Sequence, residues 1–254
     1  MNRTIRRTAR ALLNELRSSP LSLASMIVAA IASAALFVFL AIADEVDEGE
    51  TERLDQAVLL FFRHAGDPEQ TIGPPWVRES AIEFTALGGI PVVTLLVITV
   101  LGFLAIERRW GAALFVSIGI LGGMALSTSL KLFYSRPRPD LVTQLDVIHT
   151  KSFPSGHATI TTCVVLTLAV MLIRLTDNPR GRVYIFVMAV IYALLIGVTR
   201  VYLGVHWPSD VLAGWAIGTF WACFCWVVMT LLQRWRDTDR ARADNGEGQS
   251  STAS

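Results

Sequence analysis

Charged side chains are scarce in this chain. Lys, Arg, Asp and Glu make up 17% of its 254 residues, whereas 53% are hydrophobic, and the mean hydropathy is +0.51. A soluble domain of this size rarely combines such values, so the composition argues against a water-soluble protein and favours an integral membrane protein. The net charge of +1 excludes nothing by itself, because the information lies in where the charges fall along the chain.

Cysteine is also rare. The only three, Cys163, Cys223 and Cys225, all lie inside apolar runs. This excludes a disulfide framework and gives no zinc-binding spacing, so we expect small buried side chains instead.

Six long apolar runs are candidates for membrane spans. The hydrocarbon core of a bilayer is about 30 Å thick and requires about 20 residues of helix to cross it. The fourth and fifth runs are shorter, so we expect their helices to extend to His157 and Arg200 at the membrane surface. Because backbone polar groups in lipid must be paired within the segment, we predict an all-α fold, an integral membrane six-helix bundle. The runs are 21–43, 86–106, 112–130, 158–173, 183–198 and 211–232.

Basic residues predict how the bundle is oriented. With six spans, 14 of the 22 Lys and Arg residues fall on one side, which should be cytoplasmic and should hold both termini. The opposite, outer face then carries the motifs described below, and we expect the active site there. The cytoplasmic set is Arg3, Arg6, Arg7, Arg10, Arg17, Arg108, Arg109, Arg174, Arg180, Arg182, Arg234, Arg236, Arg240 and Arg242.

The predicted spans also divide the chain into three parts. We predict a basic cytoplasmic segment at 1–20, a six-span membrane domain at 21–232 and a cytoplasmic, disordered tail at 233–254. The membrane domain contains an external loop at 44–80 and motif loops at 131–157 and 199–210. Pro91 is expected to kink the second span. One face of the external loop forms either an interfacial helix or a helix packed on the bundle, and its apolar residues are Leu54, Val58, Leu59, Phe61 and Phe62.

Three cations stand at the ends of spans or between them. Lys131, Arg138 and Arg200 can converge on one phosphate, and the planar fork of Arg binds two phosphate oxygens at once. Each of them taken alone is also explained by a basic side chain at a span end reaching for lipid headgroups.

The string Pro154–Ser155–Gly156–His157 stands immediately before the fourth span. Ser155 is a natural N-cap, and Gly156 lets the backbone approach a ligand closely. The free amides and the dipole of a helix start form an anion site, beside which His157 can act as a general acid.

His206 and Asp210 are four residues apart, a spacing that places them on one face of a helical turn. An Asp that accepts a hydrogen bond from Nδ1 leaves Nε2 unprotonated and nucleophilic. Surface ion pairs have the same spacing, so the pair gains its meaning from the other two strings.

Together, the three strings resemble the signature of the type 2 phosphatidate phosphatase, or lipid phosphate phosphatase, superfamily, which also covers vanadium haloperoxidases and acid phosphatases. That signature reads Lys-x6-Arg-Pro, Pro-Ser-Gly-His and Ser-Arg-x5-His-x3-Asp. Thr199 replaces the usual Ser and keeps its hydroxyl. The matching residues are Lys131, Arg138, Pro139, Pro154, Ser155, Gly156, His157, Arg200, His206 and Asp210.

The resemblance implies a two-step phosphoryl transfer without a metal or other cofactor. His206 attacks phosphorus and forms a phosphohistidine, with Asp210 orienting it. His157 protonates the leaving group and then activates water. The phosphate oxygens would be held by Lys131, Arg138, Ser155, Gly156 and Arg200. Arg136, which stands outside the signature, would contact a headgroup or serve a structural role.

We therefore predict a membrane phosphatase acting on a lipid phosphate or diphosphate of the undecaprenyl diphosphate, phosphatidylglycerophosphate, phosphatidate or lipid A class. Its partners would be that substrate and membrane lipids, with no nucleic acid, and its location the bacterial inner (plasma) membrane. A lipid phosphotransferase would use the same residues. A soluble haloperoxidase does not fit the spans, and a transporter fits poorly because no ionisable residue lies deep in a span. The sequence leaves the oligomeric state and the particular lipid open.

Overall fold

The computed structural model describes residues 23–146 and 150–251, with side chains up to residue 236. The basic segment predicted at 1–20 and the last residues of the tail, 252–254, lie outside the described residues. The described helices are α1 Leu23–Asp47, α2 Glu52–Phe61, α3 Pro75–Leu87, α4 Ile90–Ile106, α5 Trp110–Tyr134, α6 Gly156–Ile173, α7 Pro179–Tyr202 and α8 Pro208–Ser251.

Helices long and apolar enough to cross a membrane account for most of the fold. Five of them, α1, α5, α6, α7 and the Pro208–Arg236 part of α8, qualify singly, and α3 with α4, bent by 42° at the break between them, makes a sixth when the pair is counted as one span. The predicted all-α integral membrane bundle is confirmed. The sheet in the described chain is one short hairpin, Arg63–His64 (β1) paired antiparallel with Asp67–Thr71 (β2).

The bend in the second span lies at Gly88 and Gly89, just before the proline that was expected to cause it. A Cβ on Gly88 would lie 2.6 Å from Ile196 Cγ2, so only glycine lets this turn approach α7 so closely. Pro91 stands at the second position of α4, where a helix needs no donor from its backbone nitrogen.

The last helix organises the bundle. α8 packs against α1, α5 and α6, and α6 packs in turn against α5 and α7. The backbone of α8 continues to Ser251, although the polar composition of that segment predicts a disordered tail. Large apolar side chains stay exposed on the outer helices, as expected where lipid is the solvent.

Two tryptophans of α8 fit into glycine notches on neighbouring helices. A Cβ on Gly197 of α7 would lie 2.3 Å from the Trp215 ring, and a Cβ on Gly122 of α5 would lie 2.3 Å from the Trp221 ring. The Trp215 indole donates to the Ala193 carbonyl and the Trp221 indole donates to the Gly119 carbonyl, each over 3.0 Å. Each contact therefore pairs an indole N–H inside the bundle, where water is absent.

The segment between the first two spans is folded onto the end of the bundle. Leu59 of α2 is fully buried in a cluster against which Val58 and Phe62, both partly buried, also pack. Of the two alternatives given for this segment, the structure therefore has the helix packed on the bundle. Leu54 and Phe61 remain exposed on its other face.

A cavity of about 650 Å³ lies at the opposite end of the bundle, between α4, α5, α6 and α8. Its lining is apolar, with Arg109 and Arg174 at its edge and none of the predicted phosphate-binding residues. We place the chemistry at the other end, where the polar groups converge.

Candidate active site

The three strings of the sequence meet at one end of the bundle. α5 and α7 finish there, and α6 and α8 begin there, so the strings are carried by four helix ends and their loops. Ser135 ends α5 in a left-handed conformation, φ 48°, and turns the chain toward the loop that carries Arg138. The loop then lies across the start of α8 through Ser152 and Asp210.

His206 and Asp210 are in contact, but not as residues of one helical turn. α8 begins at Pro208, so His206 lies in the loop before it and the chain bends back to bring His206 Nδ1 within 3.2 Å of Asp210 Oδ2. The same oxygen accepts from the Trp207 amide over 2.9 Å and from the Ser152 hydroxyl. Asp210 thus caps its own helix while it holds the imidazole, and both side chains are buried.

The neighbours of His206 fix its tautomer. Arg138 Nη1 lies 3.1 Å from Nε2, and a guanidinium only donates, so Nε2 is the acceptor and Nδ1 carries the proton toward Asp210. Burial lowers the pKa of His206 to about 3, an effect larger than the opposing pull of Asp210. The ring is therefore neutral at physiological pH, with the Nε2 lone pair directed at a cation.

Arg138 is held by backbone carbonyls. Its Nε donates to Thr150 over 2.8 Å and its Nη1 to Val205 over 2.5 Å. Burial, and next the charge of Arg200, lowers the pKa of Arg138 to about 10, so the guanidinium stays charged at neutral pH. A rigid cation beside the Nε2 atom is suited to bring a phosphate oxygen next to the attacking nitrogen.

Lys131 lies on the other side of the same loop. Its ammonium donates to the Lys151 carbonyl over 2.8 Å, and a Cβ on Gly156 would lie 3.3 Å from Lys131 Cε. Gly156 thus leaves room for this side chain at the start of α6.

The start of α6 has the predicted cap. Ser155 Oγ accepts from the Ala158 amide, which leaves the hydroxyl proton available to a ligand. In the described chain the amides of Gly156 and His157 have no backbone acceptor, as expected for the first donors of a helix. These donors and the helix dipole favour an anion at this point.

Arg200 is fully buried and points into the same region. It donates to Thr85 Oγ1 over 2.8 Å and forms an ion pair with Asp146 Oδ2 at 3.0 Å. Its Nε has no hydrogen-bond partner among the described residues. An unpaired buried donor is a group that a phosphate oxygen would satisfy.

His157 is half-buried in the first turn of α6, within electrostatic reach of Arg200, Asp146 and Lys131. It makes no side-chain hydrogen bond within the described ranges, so its ring is available to a ligand. Across those same ranges no three His, Cys, Asp or Glu side chains form a group that could hold a metal.

Four residues that contact the site were not predicted from the sequence. Ser152 and Thr85 are isolated hydroxyls, and Asp146 pairs with Arg200 across 54 residues, so spacing gave no signal for any of them. Asp55 did give one, because it stands four residues before Leu59 on the buried face of α2. Arg136 contacts Asp55 and Asp210, which gives it a structural role.

Known proteins with similar sequences are lipid phosphatases. Residues 110–234 match the PAP2 superfamily. The chain is 32% identical to phosphatidylglycerophosphatase B of Bacillus subtilis over 151 residues, which cover 58% of this chain and 72% of that protein. It is 41% identical to the undecaprenyl-diphosphatase of Sulfolobus acidocaldarius over 73 residues, 29% of this chain and 31% of that protein.

The fold is also similar to a solved structure, that of a transmembrane PAP2-type phosphatidylglycerolphosphate phosphatase from Bacillus subtilis. The TM-score is 0.68 at 25% sequence identity, and the alignment covers 76% of this chain and 93% of that one. The likeness therefore extends well beyond the three strings to the arrangement of the spans.

Proposed function

The chain belongs to the PAP2 superfamily of phosphoric ester hydrolases, and on that premise we propose that it dephosphorylates a membrane lipid through a phosphohistidine on His206. The observation that carries the proposal is the environment of this ring. Asp210 lies 3.2 Å from Nδ1 and Arg138 lies 3.1 Å from Nε2. A neutral imidazole held in this way is prepared to attack phosphorus, and Asp210 stabilises the positive charge that develops.

The first step joins Nε2 to phosphorus while the bond to the leaving oxygen breaks. The leaving oxygen takes a proton from His157, which must therefore be protonated when substrate is bound. Lys131, Arg138 and Arg200 neutralise the charge on the equatorial oxygens, and Ser155 and the Gly156 amide donate to them.

The second step returns the enzyme to its starting state. Water attacks the phosphohistidine, its proton passes to His157, and the N–P bond breaks to release inorganic phosphate. If an alcohol replaced water, the same residues would perform a phosphotransfer.

The substrate class follows from the bundle and the relatives. The site lies at the ends of membrane spans, and the relatives named above include phosphatases of phosphatidylglycerophosphate and of undecaprenyl diphosphate. We place the substrate among lipids of this kind, which carry a phosphate or diphosphate at the membrane surface. The site would face away from the cytoplasm, with both ends of the chain inside.

Purified enzyme assayed against a panel of lipid phosphates and diphosphates tests this proposal. We expect inorganic phosphate to be released, and a ³²P-labelled substrate to leave an acid-labile label on the wild-type protein and none on the His206→Ala variant. Release of phosphate without any such intermediate would contradict the phosphohistidine. Labelled phosphate recovered on an added alcohol instead would indicate a phosphotransferase.

Removal of divalent metal tests the source of positive charge. Because Lys131, Arg138 and Arg200 supply three cations, we expect phosphate release to persist in EDTA and to be inhibited by vanadate, which adopts a trigonal-bipyramidal form when bonded to a nucleophile. Activity lost in EDTA and restored by Mg²⁺ would overturn the metal-independent mechanism.

A further inference from the structure

Arg136 bridges two buried carboxylates, only one of which belongs to the predicted site. Its Nη1 lies 2.8 Å from Asp210 Oδ1 and its Nη2 lies 2.8 Å from Asp55 Oδ2. Both carboxylates are fully buried, and the arginine side chain is 15% exposed. The three side chains come from α2, the loop after α5, and the first turn of α8.

Asp55 also forms hydrogen bonds directly with Ser209 in the first turn of α8. Its Oδ1 accepts from the Ser209 amide over 2.9 Å, and its Oδ2 accepts from the Ser209 hydroxyl over 2.6 Å. That hydroxyl accepts in turn from Arg136 Nη1 over 2.7 Å. Asp55, Arg136 and Ser209 thus form a closed ring of hydrogen bonds beside Asp210.

This ring determines how the Asp210 carboxylate is rotated. Asp210 Oδ2 accepts hydrogen bonds from the Ser152 hydroxyl, the Trp207 amide and His206 Nδ1. In the described chain, Arg136 is the donor to Asp210 Oδ1. A carboxylate fixed at both oxygens cannot turn, so Oδ2 stays opposite His206 Nδ1. The angle of the imidazole, and with it the direction of Nε2, depends on this contact.

We propose that Asp55 and Arg136 are positioning residues for phosphoryl transfer, which hold Asp210 in the orientation that directs His206 at phosphorus. The proposal rests on the proposed function of His206 as nucleophile. Asp55 is separated from the ring of His206 by two residues, so its effect on the reaction passes through Arg136 and Asp210.

The charges explain why both members are needed. Asp55 balances a guanidinium that is largely withdrawn from water, and removing one partner of a buried pair leaves the other uncompensated. Without Asp55, Arg136 keeps its charge but loses the second anchor that fixes its fork. A lysine at position 136 would keep the charge and could not span both carboxylates, because its ammonium lacks the planar fork.

The direct test is Asp55→Asn, which keeps the shape and removes the charge. We expect kcat on a lipid phosphate to fall about tenfold or more, since small losses of alignment at the reacting atoms have effects of this size. KM should change less than about twofold, because the phosphate-binding residues are untouched, and formation of the phosphoenzyme in a single turnover should slow by the same factor as kcat. An unchanged kcat, or a loss confined to KM, would overturn the proposal.

Glu52→Gln is the matched control. Glu52 lies on the same helix and has the same charge, but its side chain is exposed and, among the described residues, accepts a hydrogen bond only from Gln56. It should leave kcat and KM at wild-type values.

A double-mutant cycle separates positioning from a general loss of structure. If Asp55 acts through Asp210, then Asp55→Asn should have little further effect on kcat in an Asp210→Asn background. A full tenfold loss in that background would show that Asp55 acts by another route.

Arg136→Lys provides a second variant if Asp55→Asn does not yield folded protein, as judged by its apparent melting temperature in detergent. It should show the same loss of kcat at nearly constant KM, and wild-type kcat would refute the proposal. The wild-type enzyme is measured first: lack of any lipid phosphatase activity there would contradict the proposed function, whereas an active wild type with fully active variants would contradict only the positioning role.

Discussion

His206 keeps an unprotonated Nε2 because each of its neighbours can take only one hydrogen-bonding role. Asp210 can only accept a hydrogen bond from Nδ1, and Arg138 can only donate one toward Nε2. A bound phosphate would take the place of the imidazole as the partner of Arg138, which frees the Nε2 lone pair at the moment when phosphorus arrives. If His206 is the nucleophile, as proposed, Arg138 would pair with Nε2 in the empty site and with the phosphate oxygens in the occupied one.

The two histidines should be distinguishable by the leaving group. His206→Ala removes the nucleophile, so activity on every substrate should be lost. His157→Ala removes the acid, so hydrolysis of a lipid phosphate should fall by at least about 10²-fold, while an aryl phosphate, whose leaving group needs no proton, should retain a larger fraction of its rate. Steady-state rates on both substrates, with phosphoenzyme trapping, provide the measurement.

His157→Ala should also accumulate phosphohistidine, because the second step lacks its base. Label trapped on the His206→Ala variant but absent from His157→Ala would mean that the two roles are reversed.

At the scale of single residues, contacts within one motif could be predicted from the sequence, whereas contacts between distant parts of the chain could not. Ser155 caps α6 as predicted, and Asp210 meets His206, because both contacts span only a few residues. The contact of Asp55 with Ser209 spans 154 residues, and no periodicity in one sequence encodes such a pairing.

Among the elements, the contacts between α8 and its neighbours depend on glycine. The rings of Trp215 and Trp221 occupy the space that a side chain would need at Gly197 and Gly122. Gly197→Ala should therefore destabilise the protein by about 1–3 kcal/mol, the usual effect of overpacking a filled core. The apparent melting temperature in detergent should fall accordingly.

Gly102→Ala is the control for this prediction. Gly102 is also inside a helix, α4, but nothing lies within 4 Å of an added Cβ. Alanine is the better helix former by about 1 kcal/mol, so this variant should melt at or above the wild-type temperature. Equal destabilisation by the two changes would show that the close packing of Trp215 on Gly197 makes no specific contribution to stability.

The elements themselves were predictable to different degrees. Apolar length located the five spans that are single helices and the α4 part of the bent pair of α3 and α4, because the hydrophobic requirement is a property of each segment alone. The bend at Gly88 and Gly89 lies in the turn before Pro91, where the proline ring would clash with the carbonyl of Leu87 in a continuous helix. The close approach of Ile196 on α7, which only glycine admits at position 88, is a tertiary contact that the sequence could not predict.

For the whole molecule, the separation of charge between its two ends predicts the orientation in the membrane. The site and its loops lie at one end, whereas the turns that carry Arg108, Arg109 and Arg174 lie at the other. We expect an Asp140→Cys variant to react with an impermeant thiol reagent in intact cells, and an Asp177→Cys variant to react only after the membrane is opened.

Both positions are exposed. Wild-type protein is the control because its three cysteines lie inside the spans, with Cys163 and Cys225 buried and Cys223 partly buried. Labelling at position 177 and not at 140 in intact cells would show that the protein has the opposite orientation in the membrane.

The packing of α2 against the start of α8 also has a consequence for biosynthesis. Asp55 is made early and Ser209 and Asp210 late, so a chain still on the ribosome already holds Lys131, Arg138 and His157 but lacks Asp210, which orients the proposed nucleophile His206, until the last span begins. On the proposed mechanism, a truncated product that ends before α8 would lack Asp210 and would be unable to orient His206 for phosphoryl transfer. The proposed mechanism therefore implies that the enzyme stays inactive toward the lipids around it until α8 is in place.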